Sequence, residues 1–192
     1  MKQINSLTGM ADLIEDKSKP DELAIKVFHT EETLKKIFKS FAMSEIRTPA
    51  LESTNLFKRS VGDTSDIVNK ELYTFSDKND KSITLRPEGT ASVIRSIVEK
   101  KLDGETHKLW YMGPMWRYER PQKGRFRQFY QAGVEILGYP EGTSEFEMIS
   151  LVCELNRKLL IKKPLIKINH LGDSETKKLF CDALVKYLTP MK

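Results

Sequence analysis

Hairpin-forming strand pairs interleaved with amphipathic helices predict an α+β fold, a largely antiparallel sheet flanked by helices. Two long runs of strand character meet across residues 121–124 and two shorter ones across residues 78–81, while other stretches carry apolar residues at spacings of three and four. Neither a phosphate-binding P-loop nor a Gly-x-Gly-x-x-Gly turn is present, which argues against a doubly wound nucleotide fold.

The chain opens with an arm containing Gly9, Met10, Ala11 and Asp12. Pro20 and Asp21 then start a helix in which Leu23, Ala24, Val27, Phe28, Leu34, Ile37, Phe38 and Phe41 form one apolar stripe. Residues 44–48 read as a short strand stopped by Pro49, because proline cannot donate to a ladder. Residues 72–75 and 82–85 are strand-like and flank Lys78, Asn79, Asp80 and Lys81, a hairpin-turn composition. Beyond Gly89 and Thr90, helical spacing returns with Ala91, Ile94, Ile97 and Val98. Residues 108–120 and 126–137 make the long antiparallel pair, joined by Pro121, Gln122, Lys123 and Gly124 and ended by Gly138 and Pro140. Ser144 and Glu147 suit a capping box for a helix carrying Met148, Leu151, Val152, Leu155 and Leu159. Residues 164–169 are expected to form a further strand, and Asp173 or Ser174 to cap a last helix with Leu179, Phe180, Ala183, Leu184 and Leu188 before Pro190. No internal repeat or low-complexity tract interrupts this order.

With 192 residues, 39% of them hydrophobic, the chain can bury one ordinary core, and a single domain over residues 1–192 is expected. The balance of 32 Lys+Arg against 27 Asp+Glu gives +5, which suits a polyanionic partner and is equally explained by a solvated mixed-charge surface. Only the cluster from Arg117 to Arg127, with five Arg or Lys and one Glu, departs from that background and marks where phosphate should bind. Cys153 and Cys181 lie in apolar helical patterns and read as buried free thiols of a reducing compartment. His29, His107 and His170 lack companions at metal-ligand spacing, so no metal site is expected. No leader-like segment opens the chain and no apolar run approaches the ~18 residues of a membrane span, so a cytoplasmic location away from the membrane is expected.

Strand parity groups the chemistry. Side chains at i, i+2 and i+4 share a face, so Arg125, Phe129, Gln131, Gly133 and Glu135 should line one surface, with Phe126, Tyr130, Ala132, Val134 and Ile136 on the other. Gly133 is expected to leave room for a ligand. On the preceding strand Arg117 and Glu119 also share parity. A solvated, half-exposed sheet face would show the same alternation. Such a face suits activation of a carboxylic acid by ATP, in which a carboxylate attacks the α-phosphorus and pyrophosphate leaves. Fixed guanidinium groups and Mg²⁺ would neutralise the developing charge, and Arg117 has the planar fork for it. A second group, Glu88, Gly89 and Thr90, could offer a carboxylate and a hydroxyl to an ammonium group; it could equally cap the helix that follows.

Arg117-x-Glu119, the Pro-Gln-Lys-Gly loop and Arg125-x-x-x-Phe129 closely resemble motif 2 of the class II aminoacyl-tRNA synthetases. With Leu85-Arg-Pro-Glu-Gly-Thr90, Gln131 and Glu135, the chain is similar to the histidyl-tRNA synthetase family within that class. The likeness runs from Gly9 through Ser44-Glu-Ile-Arg-Thr-Pro49, which resembles motif 1, and Leu56 to Arg59, to the helix ending near Leu188. It implies ATP and Mg²⁺ as cofactors, with L-histidine and tRNA(His) as substrates and a homodimer formed through the motif 1 region. By the same resemblance Arg117 would be catalytic, contacting the α-phosphate and the histidine carboxylate. Glu88, Gly89, Thr90, Arg117, Gln131 and Glu135 would hold histidine, with Glu135 facing the imidazole. Arg117, Glu119, Arg125 and Phe129 would hold ATP, Phe129 by stacking on the adenine and Glu119 by accepting from its amino group. Gln122 and Lys123 would reach the tRNA acceptor end.

Two positions depart from the family pattern: Thr8 stands where arginine is usual, and Ala42-Met43 where Gly-Tyr is usual. Motif 3, the Arg-Gly-Leu-Asp-Tyr-Tyr segment and the anticodon-binding domain have no counterpart before Lys192. The chain therefore reads as the N-terminal part of a catalytic domain, its sheet incomplete on the C-terminal side, with an edge inviting self-association and weak or no aminoacylation alone. Two other readings share these residues. One is a histidine-binding regulatory paralogue without the chemistry; the other is an RNA-binding module using the basic hairpin, against which Glu88 and Glu135 speak because carboxylates repel phosphate.

Overall fold

In the computed structural model, which describes residues 3–16, 18–62, 67–120, 122–140, 142–160, 165–169 and 172–191, Asp21 starts the first helix as its sequence suggests. The Asp21 carboxylate accepts from the amides of Leu23 and Ala24, and α1 (Glu22–Ser40) buries Ala24, Leu34, Ile37 and Phe38. The helix ends when the Ala42 and Met43 amides turn back to the carbonyls of Lys39 and Phe38. This closure places Ala42 at φ 54°, the left-handed region that glycine adopts without a steric penalty. Alanine thus occupies a backbone position that suits glycine better.

The chain then builds two three-stranded sheets. β1 (Ser44–Glu45) is shorter than the expected 44–48 and pairs parallel with β5 (His107–Trp116), which pairs antiparallel with β6 (Gln128–Leu137). β2 (Leu51–Ser53), β3 (Thr74–Ser76) and β4 (Ser82–Leu85) form the second sheet in the order β2-β4-β3. β2 was not foreseen, nor were α2 (Thr54–Val61) and the π-helical turn Ile67–Glu71. The β3 to β4 hairpin turns on Asp77, whose carboxylate accepts from the amides of Asn79 and Lys81. Hydroxyls of Thr54, Ser82, Thr84 and Thr74 are linked across this sheet, with Thr84 fully buried.

Arg86 joins the sheets. Its guanidinium donates to the carbonyls of Thr48 and Pro114, and its own carbonyl accepts from the Trp116 amide. Burial lowers its pKa, with Glu52 and Tyr111 opposing the shift. In the sequence it was one letter of a motif; in the structure it is a strut.

The even-numbered face of the β5–β6 ladder carries Trp110, Met112, Val134 and Ile136 against Leu34, Ile37 and Phe38 of α1 and Leu151 of α4 (Thr143–Lys158). Phe38 stacks on Trp110 with centroids 5.2 Å apart. The other face meets α3 (Thr90–Glu99) through Val93, Tyr111 and Met115. The cap of α4 is Gly142, whose amide donates to Glu145; Ser144 and Glu147 do not make the expected box, because Glu147 instead pairs with Lys108. Among the described residues the outer edge of β6 pairs with no strand.

The molecule divides into two compact units, Met1–Leu160 and Ile161–Lys192. In the second, Asp173 caps α5 (Ser174–Leu188) by accepting from the Thr176 amide, and Pro190 lies inside a short 3-10 turn, Thr189–Met191. No residue of α5 is buried. The strand expected at 164–169 is not formed over residues 165–169, and Pro164 lies outside the described residues. Cys153 and Cys181 are exposed rather than buried: α4 turns Leu151 to the core and Cys153 away from it, and α5 has no buried residue. No helix among the described residues is long and apolar enough to cross a membrane.

The positive φ at Ala42 sets a stability test. Ala42→Gly should raise the unfolding free energy by about 1 kcal/mol, the size of the left-handed penalty, read as a higher urea midpoint at unchanged m-value.

Candidate amino-acid and nucleotide site

Period-two alternation sends Leu109, Tyr111, Gly113 and Met115 of β5 to one face, opposite Glu135, Gly133, Gln131 and Phe129 of β6. The grouping of Phe129, Gln131, Gly133 and Glu135 matches the parity reading. Arg125 does not share it, because β6 begins only at Gln128 and Arg125 lies in a turn bridged to Gln122. β5 likewise ends at Trp116, four residues early: the Tyr118 amide leaves the ladder for the Glu71 carbonyl.

The start of α3 closes one end of this face. Glu88 accepts from the Thr90 amide at 2.6 Å and the Ala91 amide at 2.9 Å, so it caps the helix. Thr90 does not cap; its hydroxyl donates to Glu135 Oε1 at 2.7 Å. Burial pushes the Glu135 carboxyl above its ordinary value, the Thr90 hydrogen bond opposes that shift, and the nearby Glu88 charge adds to it. Glu88 and Thr90 also border a cleft of about 800 Å³ that runs along α3 past Ile94 and Val98 to Leu56 and Arg59.

Tyr111 occupies the middle of the site, and sequence reasoning missed it. A Cβ on Gly89 would lie 2.1 Å from its ring, and one on Gly133 would lie 2.3 Å from its Cζ and hydroxyl. The space expected to receive a ligand at Gly133 is therefore filled by the phenol. Gln131 Nε2 donates to the Tyr111 hydroxyl at 3.4 Å, while Gln131 Oε1 is buried without a partner. Burial raises the Tyr111 pKa, with the Thr90 hydroxyl the strongest opposing influence. The missed signal was the odd parity of 109–115, which the hairpin pairs with 129–135.

Toward the loop, Arg117 Nε donates to the Pro87 carbonyl at 2.9 Å and its guanidinium carbon lies 5.1 Å from the Phe129 ring centroid. That contact joins the two constellations the sequence suggested. Glu119, its side chain only 17% exposed, forms an ion pair with the exposed Arg125 at 3.3 Å, yet its Oε2 has no hydrogen bond. Gln122 and Lys123 are exposed at the turn tip, where Gly124 has φ 82°; Pro121 lies outside the described residues. The N-terminal arm braces this region from behind: the Gly9 carbonyl accepts from the amides of Arg127 and Gln128, and Arg127 lies over the Tyr118 ring at 4.1 Å. Among the described residues no cluster of three or more His, Cys, Asp or Glu could hold a metal ion by itself.

The fold alone is shared with distant proteins. Pyrrolysyl-tRNA synthetase from Desulfitobacterium hafniense matches with TM-score 0.60 at 15% identity, covering 71% of this chain and 48% of that one. A Bacillus halodurans protein described as an ATP phosphoribosyltransferase regulatory subunit/histidyl-tRNA synthetase matches with TM-score 0.66 at 21% identity, covering 83% and 39%. The architecture is the class II aminoacyl-tRNA synthetase type of catalytic fold. A family model described as histidyl-tRNA synthetase matches residues 14–174, and the chain belongs to that family. It is 51% identical over 162 residues to a histidine-tRNA ligase of Desulfitobacterium hafniense, covering 83% of this chain and 38% of the relative. Against the Geobacter sulfurreducens ligase it is 47% identical over 162 residues, covering 83% and 39%. The apo histidyl-tRNA synthetase of S. aureus matches with TM-score 0.75 at 35% identity, covering 98% of this chain and 43% of that one. The chain thus spans about two fifths of the length of these relatives.

The raised pKa of Glu135 has a measurable sign. A protonated Glu135 fits the folded site, so its contribution is fully present below the ordinary carboxylate range and is lost as pH rises through the elevated folded value. Glu135→Gln keeps an acceptor for Thr90 and carries no charge. Thermal melts should show it more stable than the unmodified chain at neutral pH, with the difference vanishing below about pH 4.

Proposed function

We propose that the chain is the N-terminal part of the catalytic domain of a cytoplasmic histidine-tRNA ligase, which activates L-histidine with ATP and transfers it to tRNA(His). The observation that carries this reading is the polar cluster on one sheet face: Glu135 held by Thr90 at 2.7 Å, next to a Gln131 Oε1 that is buried and unpartnered. An imidazole N–H facing Glu135 would favour the ionised carboxylate that burial disfavours. The ammonium group faces Gln131 Oε1, Thr90 and Glu88; each Glu88 oxygen, though bonded to a backbone amide, retains a lone pair. Gly89 belongs to this subsite by letting the chain pass close against Tyr111.

The histidine carboxylate then lies toward Arg117. One of its oxygens attacks the α-phosphorus, the bond to the pyrophosphate oxygen breaks, and the leaving group carries the electron pair. Arg117, anchored through Nε at Pro87, offers its remaining donors to the carboxylate and the phosphoryl oxygens. Adenine fits against Phe129, with its amino group donating to Glu119. Arg125 would exchange Glu119 for the distal phosphates, and Gln122 and Lys123 at the turn tip reach the acceptor end of tRNA. Mg²⁺ carried with the triphosphate would offset phosphate charge, its ligands drawn largely from phosphate oxygens and water. A homodimer through the β1 region completes the proposal. The regulatory reading would use the same histidine pocket without nucleotide chemistry; the Arg117 and Phe129 contact and the open acceptor on Glu119 favour the enzyme.

Calorimetry tests the pocket. Histidine should bind the folded chain, and Glu135→Gln should weaken it by roughly 100-fold, as expected when a buried charged partner is removed. In the longer protein Arg117→Ala should reduce ATP-pyrophosphate exchange by about 100-fold or more, whereas single-turnover adenylation by the 192 residues alone should be weak or absent. Folded protein that binds neither histidine nor ATP would sink the proposal.

A further inference from the structure

We infer that Tyr111 is a positioning residue of this pocket, which orients the Gln131 amide so that Oε1 faces the ammonium group of the bound amino acid. The inference rests on the histidine-binding reading and adds the device by which an α-amino group would be selected.

The first support is steric. Tyr111 stands opposite Gly133 in the ladder, and its ring fills the volume that a side chain at Gly89 or Gly133 would need. Two glycines on separate elements, the start of α3 and the middle of β6, therefore hold one ring between them. That ring is only 6% exposed, so its hydroxyl has a fixed address.

The second support is the polarity of the hydrogen bonds. Thr90 gives its hydroxyl proton to Glu135 Oε1, which leaves Thr90 Oγ1 as an acceptor toward its neighbours. The Tyr111 oxygen takes its bond from Gln131 Nε2. The phenol oxygen, 3.4 Å from Nε2, is the acceptor that Gln131 meets. The amide must then present nitrogen to Tyr111 and oxygen to the site. Gln131 Oε1 is buried and unpartnered, an arrangement that costs stability until a donor arrives. An ammonium group is such a donor. The reversed amide would turn its NH₂ toward the same cation and repel it, so the tyrosine decides whether the site accepts or rejects an amine.

The test compares L-histidine with imidazole-4-propionate, which keeps the ring and carboxylate and lacks the α-amino group. In Tyr111→Phe the ring still fills the space between Gly89 and Gly133. Its affinity for L-histidine should fall roughly tenfold, the effect of one misdirected hydrogen bond to a charged group, with imidazole-4-propionate changed by less than about twofold. A double variant with Gln131→Leu should lose no more than Gln131→Leu alone, because Tyr111 acts through that amide. Equal losses for both ligands, or no loss for either, would overturn the inference, as would additive losses in the double variant. If Tyr111→Phe does not fold, the side-chain amide resonances of Gln131 in the unmodified chain decide the matter. They should shift with L-histidine and not with imidazole-4-propionate, and equal responses overturn the inference. An unmodified chain that binds neither ligand defeats the histidine-binding reading itself, a result distinct from binding that Tyr111→Phe leaves intact.

Discussion

The β5–β6 register is the constraint on which the rest of this molecule depends. Pairing from His107 opposite Leu137 to Trp116 opposite Gln128 assigns every side chain of both strands to a face. Trp110, Met112, Val134 and Ile136 go to the core under α1 and α4; Tyr111, Gln131 and Glu135 go to the site. A slip of one residue would exchange the two sets and destroy core and pocket together. The large apolar face, with Phe38 stacked on Trp110, therefore secures the register that sets Glu135 on the face where Thr90 reaches it.

The site is built at some cost to the unliganded fold. Glu135 is a carboxyl whose burial disfavours its charge, Gln131 Oε1 is a buried acceptor without a donor, and Glu119 Oε2 has an ion pair without a hydrogen bond. These tensions sit where the functional reading puts an imidazole, an ammonium group and an adenine amino group. Glu88 shows the opposite economy. Its carboxylate fastens the first turn of α3 while remaining able to accept from a ligand, so one residue can serve both the helix and the site. On the proposed reading, folding and recognition are coupled through shared hydrogen bonds rather than through separate sets of residues.

Much of this was legible in the sequence wherever a period repeats over many residues. α1, α3 and the β5–β6 pair follow from their apolar spacing, and the parity of Phe129, Gln131, Gly133 and Glu135 follows from a strand long enough to alternate. What stayed hidden was set by distant partners. The three residues of β2 are a strand because β4 offers a ladder, whereas the apolar alternation of residues 165–169 does not by itself make one. Ser144 and Glu147 suited a cap, yet Lys108 claimed Glu147 and Gly142 took Glu145. Arg125 fell off the strand because the Gly9 carbonyl and the turn at Gln122 set where β6 begins. Gly133 looked like space left for a ligand, and only the register revealed the tyrosine filling it.

A crystal structure of the chain with L-histidine bound would test the central claim most directly. An imidazole nitrogen should lie within hydrogen-bond distance of the Glu135 carboxylate and the ammonium group on Gln131 Oε1, with Tyr111 still seated between Gly89 and Gly133. Histidine bound away from this sheet face, or bound with Glu135 turned from the imidazole, would contradict it.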